Sequence, residues 1–364
     1  MILAPHNRED VNKLWWNKTK ESKKILVTGP NANNQSILGD WHAAQPKENV
    51  TTIYEGIKEL GESKGYDVLF HDSNENIRKI SNKDIQNTVE ASKDADFVIV
   101  VVGDNSMRYK WKDKTAGENM ARAELNLAGK QLDLVRSLKE TNNNVIVVYV
   151  NGKPISEPWI QNNIPSIIEA WEPGNLGGKA VAEIIFGDIN PSGKLPLTVP
   201  RSVGQLQMIY NHKPSQYFHK YAFEKNTPLY PFGYGLSYTK FNYSKPKLLN
   251  SKFDNNSIIR VQVEVTNTGD MDGDEVVQLY IRDKVSSVTR PVKELKGYKR
   301  VHLKVGETKN VIFEITPESL AFYDIDMKYV VEPGSFNIMT GSSSHFKSLK
   351  TVELTILNKI EFNN

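Results

Sequence analysis

The sequence predicts an α/β sandwich, a mostly parallel sheet covered by helices, followed by an all-β sandwich. Three observations lead there. Between Lys23 and Pro200, short β-branched runs alternate with longer amphipathic stretches, the pattern of βα units. From Phe241 onward the hydrophobic period becomes two, as in strands that rest one face on a core. The 364 residues are also more than twice the roughly 150 typical of one domain, enough for two separate cores.

The elements follow in order. Strands are expected at 25–30, 67–70, 97–103 and 145–151, continuous apolar runs of the kind that is covered on both faces. Helices are expected at 52–64, 81–92 and 121–141, the last because Leu125, Leu132, Leu134 and Leu138 fit one apolar side. A short strand at 166–170 precedes a helix at 177–186. Residues 201–240 are rich in aromatics, Pro and Gly, densest at Tyr230-Pro231-Phe232-Gly233-Tyr234-Gly235-Leu236-Ser237-Tyr238. They read as an ordered connector, since so many rings would be costly to leave in water.

Residues 259–265 alternate strictly, and further strands are expected at 276–281, 310–315, 335–339 and 349–356. Thr266-Asn267-Thr268-Gly269-Asp270 supplies turn chemistry between the first two. This is the count of a small antiparallel sandwich of the immunoglobulin or fibronectin type III sort. The organisation is thus a lead-in segment at 1–22, which contains Trp15-Trp16, an α/β sandwich at 23–200, the connector at 201–240 and the β-sandwich at 241–364.

Composition excludes several classes of function. Lys and Arg number 46 against 43 Asp and Glu, a net charge of only +3, and no basic stripe is interleaved with aromatics, so neither nucleic acid nor a membrane is expected as a partner. With no cysteine there can be no disulfide, thiolate metal site, iron–sulfur cluster or cysteine nucleophile. The histidines at 6, 42, 71, 212, 219, 302 and 345 never fall at metal-ligand spacing. Gly29-Pro30-Asn31-Ala32-Asn33 follows a strand but has neither a dinucleotide fingerprint nor a phosphate loop, and there is no G-x-S-x-G elbow. No metal and no cofactor is expected. No run approaches the roughly 18 apolar residues of a membrane span. The N-terminus turns polar too early for the core of a signal peptide.

Two loops carry candidate chemistry. Residues 103–119 form a long loop at the carboxyl end of the third strand, where open α/β sheets bind ligands. It holds Asp104, Asp113 and Glu118 together with Arg108, Tyr109 and Trp111; an ordinary solvated loop would also account for these charges. Gly39-Asp40-Trp41-His42 follows the first strand, and Trp41 reads either as a platform for a sugar ring or as a core residue.

The stretch Thr115-Ala116-Gly117-Glu118-Asn119-Met120-Ala121-Arg122, running on through Leu125-Asn126-Leu127-Ala128-Gly129-Lys130-Gln131, resembles glycoside hydrolase family 3, the β-glucosidase and β-xylosidase group. Other pieces agree in order: Lys24 to Ala32, Asn151-Gly152-Lys153-Pro154, Ala170-Trp171-Glu172-Pro173-Gly174, and Asn190 to Pro196 leading to Tyr230 to Tyr238. The β-sandwich is similar to the family's fibronectin type III-like module through Val265 to Gly269, Val276 to Tyr280 and Leu295 to Tyr298. The resemblance covers roughly 23–356.

The resemblance implies an exo-acting, retaining enzyme that cleaves β-linked glycosides with two carboxyls, a nucleophile and an acid/base, about 5 to 5.5 Å apart. By resemblance Glu118 matches the acid/base and Trp41 the aromatic that lines the leaving-sugar subsite; Arg108 and Trp111 complete the candidate substrate-binding set. A dry pocket against Trp or Tyr rings would raise the pKa of such an acid. The family's nucleophile and sugar clamps lie on a (β/α)8 barrel of about 250 residues, expected ahead of Lys23, where only 22 residues stand. Asp40-Trp41 has the look of the nucleophile dipeptide but belongs to the Trp-platform loop, so it is given no nucleophilic role. The chain alone is therefore expected to be weak or inactive, either as a truncated product or as partner to a barrel on another chain. Its alternative role is a non-catalytic carbohydrate-binding or structural module. A surface around Trp171-Glu172-Pro173 and the connector is expected to dock a barrel or a second copy. The resemblance points to a periplasmic or secreted setting.

Overall fold

The structure, a computed structural model, describes residues 2–3, 23–214, 220–250 and 257–362. The lead-in segment, Trp15 and Trp16 included, lies outside the described residues except for Ile2 and Leu3, as do 215–219 of the connector. The chain divides into two compact units, Met1–Pro191 with Val199–Leu206, and Ser192–Thr198 with Gln207–Asn364.

The first unit is built on a five-stranded parallel sheet in the order β2-β1-β3-β4-β5, with β1 Lys24–Thr28, β2 Asp67–Phe70, β3 Phe97–Gly103, β4 Val145–Val150 and β5 Ser166–Glu169. Every residue of β3 and β4 is buried, so both faces of the central sheet are covered. The covering helices are α1 Ile53–Ser63, α2 Asn82–Ser92, α3 Gln131–Thr141, α4 Pro158–Asn163 and α5 Gly177–Ile185. Helix α1 packs on α5, and α2 on α3.

Local chemistry sets the helix starts. Thr52 and Glu55 form a reciprocal capping box at α1, and Ser81 and Asp84 form one at α2, each cap worth about 1 kcal/mol. The helix expected over 121–141 forms only from Gln131 onward. Ahead of it, backbone groups are spent outside a helical ladder: Arg122 Nη2 donates to Asn126 O at 2.9 Å, Ser156 N–H to Leu125 O at 2.9 Å, and Leu127 N–H to Glu157 Oε1 at 2.8 Å. Gly129 then takes φ +62°, a left-handed residue that interrupts any helix. At the sheet edge Leu3 N–H donates to Ile167 O at 2.8 Å, and Ile2 and Leu3 are buried there.

The strand order positions the site. The chain leaves β1 for β2 on one side and returns to β3 on the other, so the two connections part above the carboxyl ends of β1 and β3. Such a switch point opens a crevice, and both candidate loops rise from it.

The second unit is antiparallel. One sheet runs β10-β9-β14-β15 and a second β11-β8-β6, with β7 also on β8. The strands are β6 Phe241–Tyr243, β7 Lys247–Leu248, β8 Ile259–Asn267, β9 Gly273–Asp283, β10 Glu294–Leu303, β11 Thr308–Ile315, β14 Gly334–Gly341 and β15 Leu349–Ile356. A small sheet of β12 Phe322–Tyr323, β13 Tyr329–Val331 and β16 Ile360–Glu361 completes the unit. Val261, Val263 and Val265 of β8 and Val277, Leu279 and Ile281 of β9 share one core, as strict alternation requires. Strand β10 escapes sequence reading because it is a charged edge, with Lys296, Lys299 and Arg300 in place of apolar alternation. The turn after β8 is fixed by buried Asn267, whose Nδ2 donates to Met271 O at 2.8 Å and Leu303 O at 3.1 Å. Two quoted motifs also meet in this unit: Leu195 N–H donates to Tyr234 O, and Gly233 N–H to Leu195 O, each at 2.8 Å.

Candidate active site

The loop after β3 is closed at its base. Asn105 N–H donates to Thr115 Oγ1 at 2.9 Å and Thr115 N–H returns a bond to Asn105 O at 2.8 Å. Behind it, buried Asp104 is flanked by Arg122 Nη1 and Lys153 Nζ, each at 3.1 Å. Asn31 Nδ2 donates to the carbonyls of Asp104, at 2.9 Å, and Val150, at 3.2 Å. The carboxyl ends of β1, β3 and β4 are thereby tied into one base.

Above that base Lys114 and Asp40 join the two candidate loops. The Lys114 side chain is wholly buried, and its Nζ donates to Asp40 Oδ1 at 2.9 Å and to Glu118 O at 3.0 Å. The Glu118 N–H donates to Asp40 Oδ2. Arg78 Nε holds the Lys114 carbonyl at 3.1 Å. The turn that makes this possible contains Gly117 at φ +99° and Asn119 at φ +57°. A side chain at Gly117 would bring its Cβ within 2.6 Å of Asp40 Oδ2.

Burial works to raise the Asp40 carboxyl, but the Lys114 hydrogen bond, the Glu118 N–H and the charges of Lys114 and Arg108 outweigh it and hold it below the usual aspartate value. At Glu172 desolvation wins and pushes the carboxyl up. There the Ser106 hydroxyl, 2.8 Å from Oε1, and His42 oppose the shift, while the negative charges of Asp40 and Asp104 reinforce it.

Three of the four residues singled out from sequence meet. Trp41 is 76% exposed, and the Arg108 guanidinium stacks on its ring with Cζ 3.8 Å from the centroid. Arg108 also pairs with Glu118 Oε2 and lies 3.4 Å from Asp40 Oδ1. The fourth, Trp111, stands apart from that stack, and its ring lies 4.8 Å from Lys114 Nζ. Glu118 leaves 45% of its side chain open, so the residues around it in this unit do not enclose it. Trp171, in the expected docking surface, is half-buried, with φ +55°.

Sequence reasoning missed the residues that set this geometry. Lys114 is one of three lysines in the 103–119 loop, and nothing in its spacing says that its ammonium is buried. Nor does any spacing mark His42: its ring meets Tyr109 edge-on with centroids 5.4 Å apart, and both ring nitrogens are buried with no hydrogen-bond partner among the described residues. Asn31, Lys153 and Glu172 stood inside quoted motifs but without roles. No group of three or more His, Asp or Glu side chains able to hold a metal ion occurs among the described residues. No helix among them is long and apolar enough to cross a membrane.

A parallel sheet with aromatic and acidic loops at its switch point, joined in sequence to a fibronectin-like sandwich, places the chain among two-unit α/β proteins with a ligand crevice at the carboxyl ends of their strands. The glycosyl hydrolase family 3 C-terminal domain matches residues 17–238, and the fibronectin type III-like domain matches residues 275–344. The chain belongs to glycoside hydrolase family 3. It is 42% identical over 351 residues to a β-xylosidase of Formosa agariphila, covering 92% of this chain and 46% of that protein. To a periplasmic β-glucosidase of Salmonella typhimurium it is 38% identical over 354 residues, covering 89% and 45%. A β-glucosidase from Listeria innocua solved in complex with glucose superposes with a TM-score of 0.85 at 28% identity, covering 98% of this chain and 48% of that one. The chain thus spans about half the length of the relatives it matches.

Proposed function

We propose that this chain supplies the acid/base side of a retaining, exo-acting β-glycosidase of the β-glucosidase or β-xylosidase type. Glu118 is the acid/base, Trp41 the aromatic floor of the leaving-sugar subsite, and Arg108 and Trp111 further substrate-binding residues. The observation that supports this most is the Asp40–Lys114 tie, which fixes the Glu118 backbone beside the Trp41 loop and so joins a carboxyl to an exposed aromatic face. An indole face stacks well on the apolar side of a sugar ring.

In the first step a barrel aspartate attacks the anomeric carbon as Glu118 gives its proton to the departing glycosidic oxygen. In the second, the Glu118 carboxylate takes a proton from the water that attacks the glycosyl-enzyme. The nucleophile comes from a barrel outside these 364 residues, and the chain alone is weak or inactive. Arg108 covers both Trp41 and Glu118 here, and substrate entry displaces it from the ring.

The test is hydrolysis of 4-nitrophenyl β-glucoside and β-xyloside by the chain, by the chain mixed with a family barrel, and by the same mixture carrying Glu118→Gln. Turnover only on mixing, lost in Glu118→Gln and restored by azide with formation of a β-glycosyl azide, is the expected result. Azide needs no base, so rescue separates an acid/base role from a structural one. Turnover by Glu118→Gln equal to the parent would overturn the assignment. The exposed face of Trp41 favours the second reading, a carbohydrate-binding module. In that case sugar binding persists with no turnover in any mixture.

A further inference from the structure

The second unit contains a cavity of about 290 Å³ that the glycosidase reading leaves unused, lined by Met208, Tyr210, Pro228, Pro231, Lys293 and Phe346 among others. Ring contacts and hydrogen bonds tie its walls together. The Tyr210 ring stacks on Phe232 with centroids 4.2 Å apart and meets Tyr280 edge-on at 5.9 Å, and its hydroxyl accepts the Leu295 N–H at 3.2 Å. Val292 N–H donates to His212 O at 2.9 Å, and Ser344 N–H to Phe232 O at 2.9 Å. The volume lies near the lower end of the roughly 300–1,000 Å³ of small-molecule pockets.

Lys293 is the feature that needs an explanation. It is only 4% exposed, and its ammonium has no hydrogen bond or ion pair among the described residues. Its contact is the face of Phe346, 3.2 Å from the ring centroid. A buried cation without an anion is costly. Burial and the like charge of Arg282 push its pKa down to about 8. The neighbouring His345 is lowered too, by burial and by the charges of Lys347 and Lys293. The cavity therefore combines ring-lined apolar walls with one unmatched cation in a positive surround.

We propose that this cavity binds a small aromatic carboxylate, with its ring among Tyr210, Pro228, Pro231 and Phe346 and its carboxylate on Lys293 Nζ. The rings and prolines of the lining favour an apolar body over a strongly hydrated anion such as phosphate, although Thr198, Asn226, Thr227 and Ser344 also line it, and the lone ammonium favours an acid over its neutral analogue. A planar ring fits between fixed aromatic walls without reordering them.

The test is calorimetric titration of the full chain with benzoate and 4-hydroxycinnamate, against benzamide as the neutral analogue, in the parent, Lys293→Met and Lys293→Arg. The acids are expected to bind at least about tenfold more tightly than the amide, as a hydrogen bond to a charged group allows. Lys293→Met loses that advantage and Lys293→Arg keeps most of it. Because Lys293→Met removes an unpaired buried charge, its unfolding temperature should match or exceed that of the parent, which separates lost binding from lost folding. Mass spectrometry of reductive methylation gives an independent reading in the parent alone: the acids protect Lys293 and benzamide does not. Equal binding of acid and amide, undiminished binding by Lys293→Met, or no binding and no protection at millimolar acid would each overturn the proposal.

Discussion

The ammonium of Lys114, with none of its side chain exposed, lies 2.9 Å from Asp40 Oδ1 and joins the loop after β1 to the loop after β3. Removing Lys114 leaves the Asp40 carboxylate with only the Glu118 N–H and Arg108 at 3.4 Å, and losing one member of a buried ion pair typically costs about 3 kcal/mol. Lys114→Met is therefore expected to lower the unfolding free energy by about 3 kcal/mol, measured by urea denaturation at pH 7. Lys114→Met with Asp40→Asn should recover part of the loss. Full parental stability in the single variant would remove the pair from the account. The depressed Asp40 carboxyl adds a pH signature. Its contribution is complete above the ordinary aspartate value of 3.8 and is lost as pH falls below that value through the lower folded one. Asp40→Asn abolishes that acid-side change.

Gly117→Ala tests the turn that carries Glu118. At φ +99° the new side chain is strained by about 1–3 kcal/mol, and its Cβ would lie 2.6 Å from Asp40 Oδ2. The backbone must move, and the Glu118 N–H moves with it. The expected result is a destabilisation of at least about 1 kcal/mol and, in a barrel-complemented assay, a lower kcat with Glu118 still present. A variant with parental stability and rate would mean that the turn tolerates another conformation.

How far the sequence reached can be seen by comparing Glu118 with Lys114. The parallel sheet was legible because strands buried on both faces, such as Val98 to Val102, show as unbroken apolar runs. The sandwich was legible from the alternation of β8. The leucines periodic over 121–141 mark an apolar side but do not reveal that Leu127 N–H goes to Glu157, so helix α3 begins ten residues later than the pattern suggests. Glu118 and Trp41 stand out through local motifs, Gly117-Glu118 and Asp40-Trp41. Lys114, His42 and Asp104 owe their importance to burial and to partners up to 74 residues away, which no local pattern encodes.

Substitutions at the exposed face should separate binding from chemistry. On the proposed roles, Trp41→Ala in a barrel-complemented enzyme would remove the surface on which the leaving sugar stacks before and during bond cleavage. KM for a disaccharide is expected to rise about tenfold with a smaller change in kcat, the signature of lost uniform binding. Glu118→Gln instead lowers kcat by roughly 10²–10⁴ on substrates whose leaving group needs a proton. Steady-state kinetics on a disaccharide and on an aryl glycoside distinguish the two. A Trp41→Ala variant that loses only kcat would contradict the platform role.

Glu169, at the end of β5, supplies the last prediction. It is 5% exposed, its Oε1 accepts the Trp171 N–H at 3.1 Å, and burial pushes its carboxyl up to about 8 against that hydrogen bond and one from Asn151. Between the ordinary value of 4.5 and about 8, the folded chain holds a proton that the unfolded chain has released. Stability therefore falls as pH rises through this window, by about 1.4 kcal/mol per pH unit from this group alone. Glu169→Gln keeps an oxygen for the Trp171 N–H and carries no titrating proton. The variant should match the parent near pH 5 and exceed it increasingly toward pH 8, with the difference read from urea unfolding at several pH values. Parallel curves for parent and variant would show that Glu169 is ionised in the fold and that something else compensates its charge.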